Sequence, residues 1–222
     1  MSAEFQSCNI VFFPSAAIEQ QVIEWSQRVS IHFKTKFVLD GHMYHPHITL
    51  YQAHYPMYNL EKVQKSLAKI AKKISPFEIE MQNFSVLSGF IFYDAIKSLK
   101  VSSLHLTLLD TLNPLREGIL TDADKQILTD PRVPEQIKRN IQQYAYAFAK
   151  ESYIPHMSVA RLVDYQEADE AKKLLHTKAM KFTAHELLLT NVGDDGTCNE
   201  IYARFQLGYE FDAGPFGVRQ VS

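Results

Sequence analysis

The chain runs to 222 residues, 46% hydrophobic and 22% charged, with only 8 Gly and 9 Pro, a composition that supplies a full core and excludes disorder, collagen-like repeats and linker architecture. Its formal net charge of -2 excludes the basic excess that binds long duplex DNA by counterion release, so any nucleic-acid partner is expected to be short or locally gripped. Two cysteines, Cys8 and Cys198, are too few for a disulfide framework, and a reduced, cytoplasmic setting is the default expectation.

The apolar run Ile10 to Phe13 follows a start with neither a basic region nor a long hydrophobic one. Neither a signal peptide nor a membrane span is expected. Cys8 to Phe13 reads as a strand ended by Pro14 and Ser15, after which Ile18, Val22, Trp25 and Val29 recur at helical spacing. His45 to Ala53 reads as a strand, because Pro46 disfavours helix in the residue before it and Ile48, Thr49, Leu50 and Tyr51 are good strand formers. Asn59 caps a helix with an apolar stripe through Leu60, Val63, Leu67, Ile70 and Ile74 and a lysine stripe through Lys62, Lys65, Lys69 and Lys72, read as a solvated face.

Phe77, Ile79 and Met81 alternate with polar residues, and Ser88-Gly89 turns the chain into Phe90 to Tyr93, which makes a hairpin. Val101 to Leu115 favours a helix. Residues 113 to 134, with three prolines and a glycine, read as an irregular insert beside the cleft. Ile137, Ile141, Tyr144 and Phe148 restore a helix, Tyr153 to Leu162 is a strand, and Glu167 to His176 is another helix. Lys181 to Val192 and Glu200 to Phe211 close the chain as two strands around the Gly193 to Gly196 turn. The first half reads strand, helix, strand, helix, strand pair, and the second echoes it as helix, strand, helix, strand pair.

The repeat sharpens at the residue level, where Pro46-His47-Ile48-Thr49-Leu50 recurs as Pro155-His156-Met157-Ser158-Val159. On a strand the histidine and the hydroxyl two residues later share a face, while the apolar residues between and after them turn to the core. Two such strands related by a pseudo-twofold would set two imidazoles and two hydroxyls around one cavity, a set that suits a phosphodiester. One neutral histidine takes a proton from water or a ribose hydroxyl, the other gives one to the leaving oxygen, and the hydroxyls hold the phosphoryl oxygens. This scheme needs no metal or other cofactor.

These paired motifs, His47-Ile48-Thr49 and His156-Met157-Ser158, resemble the two signatures of the two-histidine (2H) phosphoesterase superfamily, in its 2'-5' RNA ligase-like and RNA cyclic phosphodiesterase branch. Arg161 after the second motif and the turn at residues 192–196 are also similar to that branch. The resemblance implies an α/β (α+β) fold over residues 1–222, a single domain of two interleaved, pseudo-symmetric antiparallel-sheet lobes with outer helices and a central cleft. It implies a metal-independent phosphodiesterase acting, as a monomer, on short RNA or nucleotides with a 2',3'-cyclic or 2'-5' linked phosphodiester. His47, Thr49, His156 and Ser158 are the expected catalytic set. Tyr51, Tyr153 and Arg161 are expected substrate contacts: Tyr51 by its parity with His47 and Thr49, Arg161 provided the strand ends or bulges before it.

Two other readings compete. His42, His45, His47 and His54 cluster closely enough to raise a zinc hydrolase, although Asp40 shows no ligand spacing and Pro46 breaks the alternation. A non-catalytic RNA-binding protein with the same cleft is the other. A third His-x-Thr, His105-Leu106-Thr107, lies in a stretch read as helix, where positions i and i+2 do not share a face.

Overall fold

The computed structural model describes residues 4–208. β1 (Phe5–Phe12) leads through Pro14 and Ser15 into α1 (Ala16–His32), followed by β2 (Ile48–Pro56), α2 (Leu60–Lys72), the hairpin β3 (Phe77–Leu87) and β4 (Phe90–Ala95), and α3 (Leu99–Leu112). Then come α4 (Asp122–Thr129), α5 (Glu135–Tyr144), β5 (His156–Arg161), α6 (Ala168–Lys172), β6 (Met180–Ala184), β7 (Glu186–Asn191) and β8 (Ile201–Gln206). The strands form one antiparallel sheet in the order β6-β3-β4-β5-β2-β1-β7-β8.

The sheet divides into two four-stranded halves that meet where β5 borders β2. α1 and α6 cover one half, with Trp25 of α1 packed edge-on against Phe84 and Tyr93. α2 and α3 cover the other, against β2, β7 and β8. The halves are interleaved in sequence, since β1 and β2 belong to one and the intervening α1 covers the other. The expected α/β class with pseudo-symmetric antiparallel lobes is the one observed. α2 buries Val63, Leu67 and Ile70, each contributing about 1.5–3 kcal/mol, and turns Lys65 outward to pair with Glu61 at 2.6 Å. At the β3–β4 turn both Ser88 (φ 50) and Gly89 (φ 82) take positive φ, as in a type I′ hairpin; a Cβ on Gly89 would lie 2.5 Å from the Tyr165 ring. No helix among the described residues is long and apolar enough to cross a membrane.

Four elements differ from the sequence expectation. The run Lys181 to Val192 is two strands, not one: it breaks at His185, so that β6 pairs with β3 while β7 pairs with β1 and β8. A one-residue crossing between distant positions of the sheet requires the sheet to curl, and the His185 carbonyl is satisfied by the Leu207 amide at 2.7 Å. Residues 113 to 134 are not irregular. They contain α4, started by a capping box in which Thr121 and Asp124 bond each other's backbone amides. α5 stops at Tyr144 because Ala145 takes a left-handed conformation (φ 52), which releases Phe148 from the helix. The last strand ends at Gln206, and the remainder of the expected Glu200 to Phe211 run past Gly208 lies outside the described residues.

Candidate active site

β2 and β5 lie side by side at the centre of the sheet, antiparallel, paired at Ile48 and Met157. That register sets His47 across from Ser158 and Thr49 across from His156, so a local twofold passes between the paired residues. Ile48 and Met157 are fully buried in the core. His47, Thr49, His156 and Ser158 take the other face and together line a cavity of about 210 Å³.

Each motif strand carries a β-bulge at the equivalent place. Val11 faces Thr49 and Ile10 faces Tyr51, leaving Leu50 as the extra residue of β2. Phe92 faces Ser158 and Ile91 faces Ala160, leaving Val159 as the extra residue of β5. A bulge reverses the alternation beyond it. The next side chain on the cavity face is therefore five residues after the histidine rather than four, which is Gln52 on β2 and Arg161 on β5.

Gln52 lines the cavity, and Tyr51, expected there by parity, does not. It is fully buried, its hydroxyl donating to the Tyr144 carbonyl at 3.0 Å. Tyr153 is likewise behind the wall: its hydroxyl donates to the Thr49 carbonyl at 3.0 Å and its ring stacks on His105 at 3.9 Å between centroids. Arg161 reaches the rim, where its guanidinium lies 4.6 Å over the Phe90 ring, pairs with Asp195 and donates to the Tyr165 hydroxyl at 2.8 Å. Phe90 and Asp195 line the cavity, with Arg161 outside them.

The twofold extends to the way each imidazole is held. Nδ1 of His47 lies 2.8 Å from the His45 carbonyl, and Nδ1 of His156 lies 2.7 Å from the Ile154 carbonyl. A carbonyl only accepts, so each Nδ1 carries the proton and, in the neutral ring, Nε2 is left as the base. Burial pushes His156, between the rings of Phe92 (3.8 Å) and Phe148 (5.7 Å), down to about 4. Burial also lowers His47 from 6.5, opposed by hydrogen bonds to the His45 and Gly196 backbones. The Thr49 hydroxyl accepts from Nδ2 of the buried Asn9 at 2.9 Å, which turns its own hydrogen away from that partner.

The family model of the 2'-5' RNA ligase superfamily matches residues 39–196, more than half of the chain. The chain belongs to that superfamily. No curated protein matches it. Among solved structures, TT0787 of Thermus thermophilus is similar with a TM-score of 0.61 at 14% identity, over 92% of this chain and 100% of that one. LigT of E. coli, crystallised with phosphate, is similar with a TM-score of 0.55 at 12% identity, over 93% of this chain and 99% of that one. At such identities the likeness concerns the fold.

In this 2'-5' RNA ligase superfamily member the third His-x-Thr is on α3, and His105 is fully enclosed. Nδ1 of His105 donates to the Leu50 carbonyl at 2.6 Å, a group that the bulge throws out of the ladder, while Nε2 accepts from the Lys150 amide at 3.0 Å. His105 and Tyr153 thus brace β2 at the bulge against the segment that enters β5. The four histidines raised as zinc ligands diverge. His42 is exposed, His45 stacks on Phe13 at 5.1 Å, and His54 bonds Ser7 at 2.8 Å and Asp124 at 3.3 Å. Among the described residues no group of three or more His, Cys, Asp or Glu is placed to hold a metal ion.

The 113 to 134 segment, expected beside the cleft, contributes no residue to the cavity wall. Asp124 bonds the back of β2 through His54, and Arg116 is buried against the Ile119 and Gln143 carbonyls. What the sequence reading missed is an aromatic wall of Phe90, Phe92, Tyr146 and Phe148, with Asp195 and Gly196 closing the rim. Phe90 and Phe92 alternate on β4 in plain view. Their direction depends on β4 pairing with β5, a long-range contact that no local pattern shows.

Proposed function

We propose that this chain is a metal-independent phosphodiesterase that hydrolyses 2',3'-cyclic phosphate or 2'-5' linked RNA and nucleotide substrates by general acid–base catalysis between His47 and His156. The observation that carries this reading is the pair of imidazoles, each fixed through Nδ1 to a carbonyl two residues before it and both opening on one cavity. His156, neutral down to about pH 4, is the base: its Nε2 takes the proton of the attacking water. His47, whose proton two backbone groups favour, gives one to the leaving ribose oxygen. Thr49 and Ser158 donate to the non-bridging oxygens, and the Asn9 amide, by occupying a lone pair of Thr49, aims that hydroxyl's hydrogen at the phosphoryl group. Phe90 and Phe92, stacked at 5.4 Å, offer a base platform on the His156 side.

The volume of about 210 Å³ suits a phosphate with its ribose, a short end rather than a duplex. LigT, of similar fold, has been crystallised with phosphate and with 3'-AMP, which supports a nucleotide phosphate in this cleft. The test is a chelator-treated activity screen over 2',3'-cyclic, 1'',2''-cyclic and 2'-5' linked substrates. Turnover persists in chelator, and His47→Ala and His156→Ala each lose about 10²- to 10⁴-fold in kcat with binding of the diester substrate retained. Chelator-sensitive turnover, or undiminished rates in either variant, overturns the reading.

A further inference from the structure

The charge of the cavity is set by its rim. Among the described residues its wall holds two histidines, the hydroxyls of Thr49, Ser88, Tyr146 and Ser158, the Gln52 amide and the Asp195 carboxylate, and no lysine or arginine. Arg161 stands directly behind the lining residues Phe90 and Asp195, turned to this face of β5 by the bulge at Val159, at the place that neutral Gln52 takes on β2. It is held back there. Its guanidinium pairs with Asp195, and its buried Nε has no hydrogen-bond partner among the described residues, a donor that a phosphate oxygen would satisfy once the side chain is released. Asp195 belongs to the loop between β7 and β8, at φ 56, braced by the Gly193 amide on the Thr197 carbonyl at 2.9 Å and the Thr197 amide on the Asp194 carbonyl at 3.1 Å.

Hydrolysis of a phosphodiester by water yields a monoester with one more ionisable oxygen. With a second pKa of about 6, that product is mostly a dianion at neutral pH, where the diester is a monoanion. A dianion leaves water for a partly buried site only where cations replace its hydration. We propose that Asp195 is a specificity-determining residue: by holding Arg161 in a closed pair at the rim it withholds that guanidinium from the phosphate site, which accepts the singly charged phosphodiester and rejects the doubly charged monoester. This rests on reading the cavity as a phosphodiester site, and it gives the product a reason to leave.

The test compares wild type with Asp195→Asn at about pH 7.5. Asparagine tolerates the left-handed backbone at this position, and thermal melts confirm that the variant folds. Inorganic phosphate and a nucleoside 2'-monophosphate are titrated in by calorimetry. Asp195→Asn binds the monoester about tenfold or more tightly than wild type, and the Arg161→Gln/Asp195→Asn double variant loses that gain. Equal monoester affinity in wild type and Asp195→Asn, or a gain that survives in the double variant, overturns the proposal. The calorimetry needs no turnover. A wild type that shows these affinities and hydrolyses no diester refutes the catalytic reading and leaves the role of Asp195 in setting the charge intact.

Discussion

Measuring kcat and kcat/KM for a 2',3'-cyclic phosphate from about pH 4 to 9 tests the two-histidine chemistry through its proton inventory. In the free protein, burial holds His156 at about 4 and His47 below its ordinary 6.5. The working form carries one proton on the pair, so kcat/KM peaks between the two limbs and falls tenfold per pH unit above the upper one; the limbs belong to the pair rather than to either ring. Bound substrate adds one negative charge beside both rings. At about 4 Å and an effective dielectric near 20 that attraction is about 4 kcal/mol, worth up to about 3 pKa units at 1.36 kcal/mol each. The alkaline limb of kcat therefore moves above about pH 6.5 while that of kcat/KM stays below it. Phe92→Ala removes the ring 3.8 Å from His156, admits water, and moves the acid limb of kcat/KM from about 4 toward 6.5. Superimposed kcat and kcat/KM profiles, or an alkaline limb of kcat/KM at or above about pH 7, would refute the assignment of two desolvated imidazoles to acid and base.

Phe90→Ala raises KM for a nucleoside 2',3'-cyclic phosphate by about 5- to 100-fold, the worth of one base stack, and leaves KM for ribose 2',3'-cyclic phosphate within about threefold; steady-state kinetics on the two substrates decides. Tyr153→Phe strips the buried Thr49 carbonyl of its donor, costing about 1–3 kcal/mol and lowering Tm by about 2–4 °C per kcal/mol. KM stays put, and a raised KM with unchanged Tm would show that the ring touches substrate after all. Asp124 is pushed up by burial but brought net below its ordinary 3.8 by its bonds to His54 and Thr121. A lowered carboxylate stabilises the fold above the ordinary value and loses that contribution as pH falls through the folded one. Thermal melts of Asp124→Asn between about pH 2 and 6 should therefore converge on wild type at the acid end, and a constant offset across that range would count against the pair.

The two histidines and hydroxyls were legible because they precede any break in the alternation: from His47 to Thr49, and from His156 to Ser158, the strands are regular. Reading on to Tyr51 failed because Leu50 is a bulge, and a bulge leaves a trace that parity alone ignores. Ile48-Thr49-Leu50-Tyr51-Gln52 and Met157-Ser158-Val159-Ala160-Arg161 each place two apolar residues side by side after a clean alternation, and all four of those adjacent residues are buried. A strand that buries consecutive side chains has changed phase. α4 had its own trace in Thr121 and Asp124, masked by the prolines on either side, and its short apolar content gave no period to find. The break at His185 left none, since nothing local distinguishes a strand that continues from one that crosses to another part of a curled sheet.

The local twofold is obeyed by the two imidazoles and the two hydroxyls beside them and broken by the groups that surround them. His47 and His156, Thr49 and Ser158, the carbonyls of His45 and Ile154, and the bulges at Leu50 and Val159 occupy matching positions. The neighbouring strands do not match: Asn9 pairs with Gln52 on one side, Phe90 with Arg161 on the other, and Val11 stands where the second half has Phe92. A cavity symmetric throughout would hold a phosphodiester in two orientations of equal energy, with each histidine facing the attacking oxygen in one and the leaving oxygen in the other. Acid and base assignments would then be interchangeable, and half of the bound substrate would meet the wrong proton state. Under the proposed reading, Phe90, Phe92 and Phe148 on the His156 side, with an arginine tied to Asp195 there, remove the degeneracy: a base stacks only one way, and the phosphoryl group meets two imidazoles whose surroundings differ.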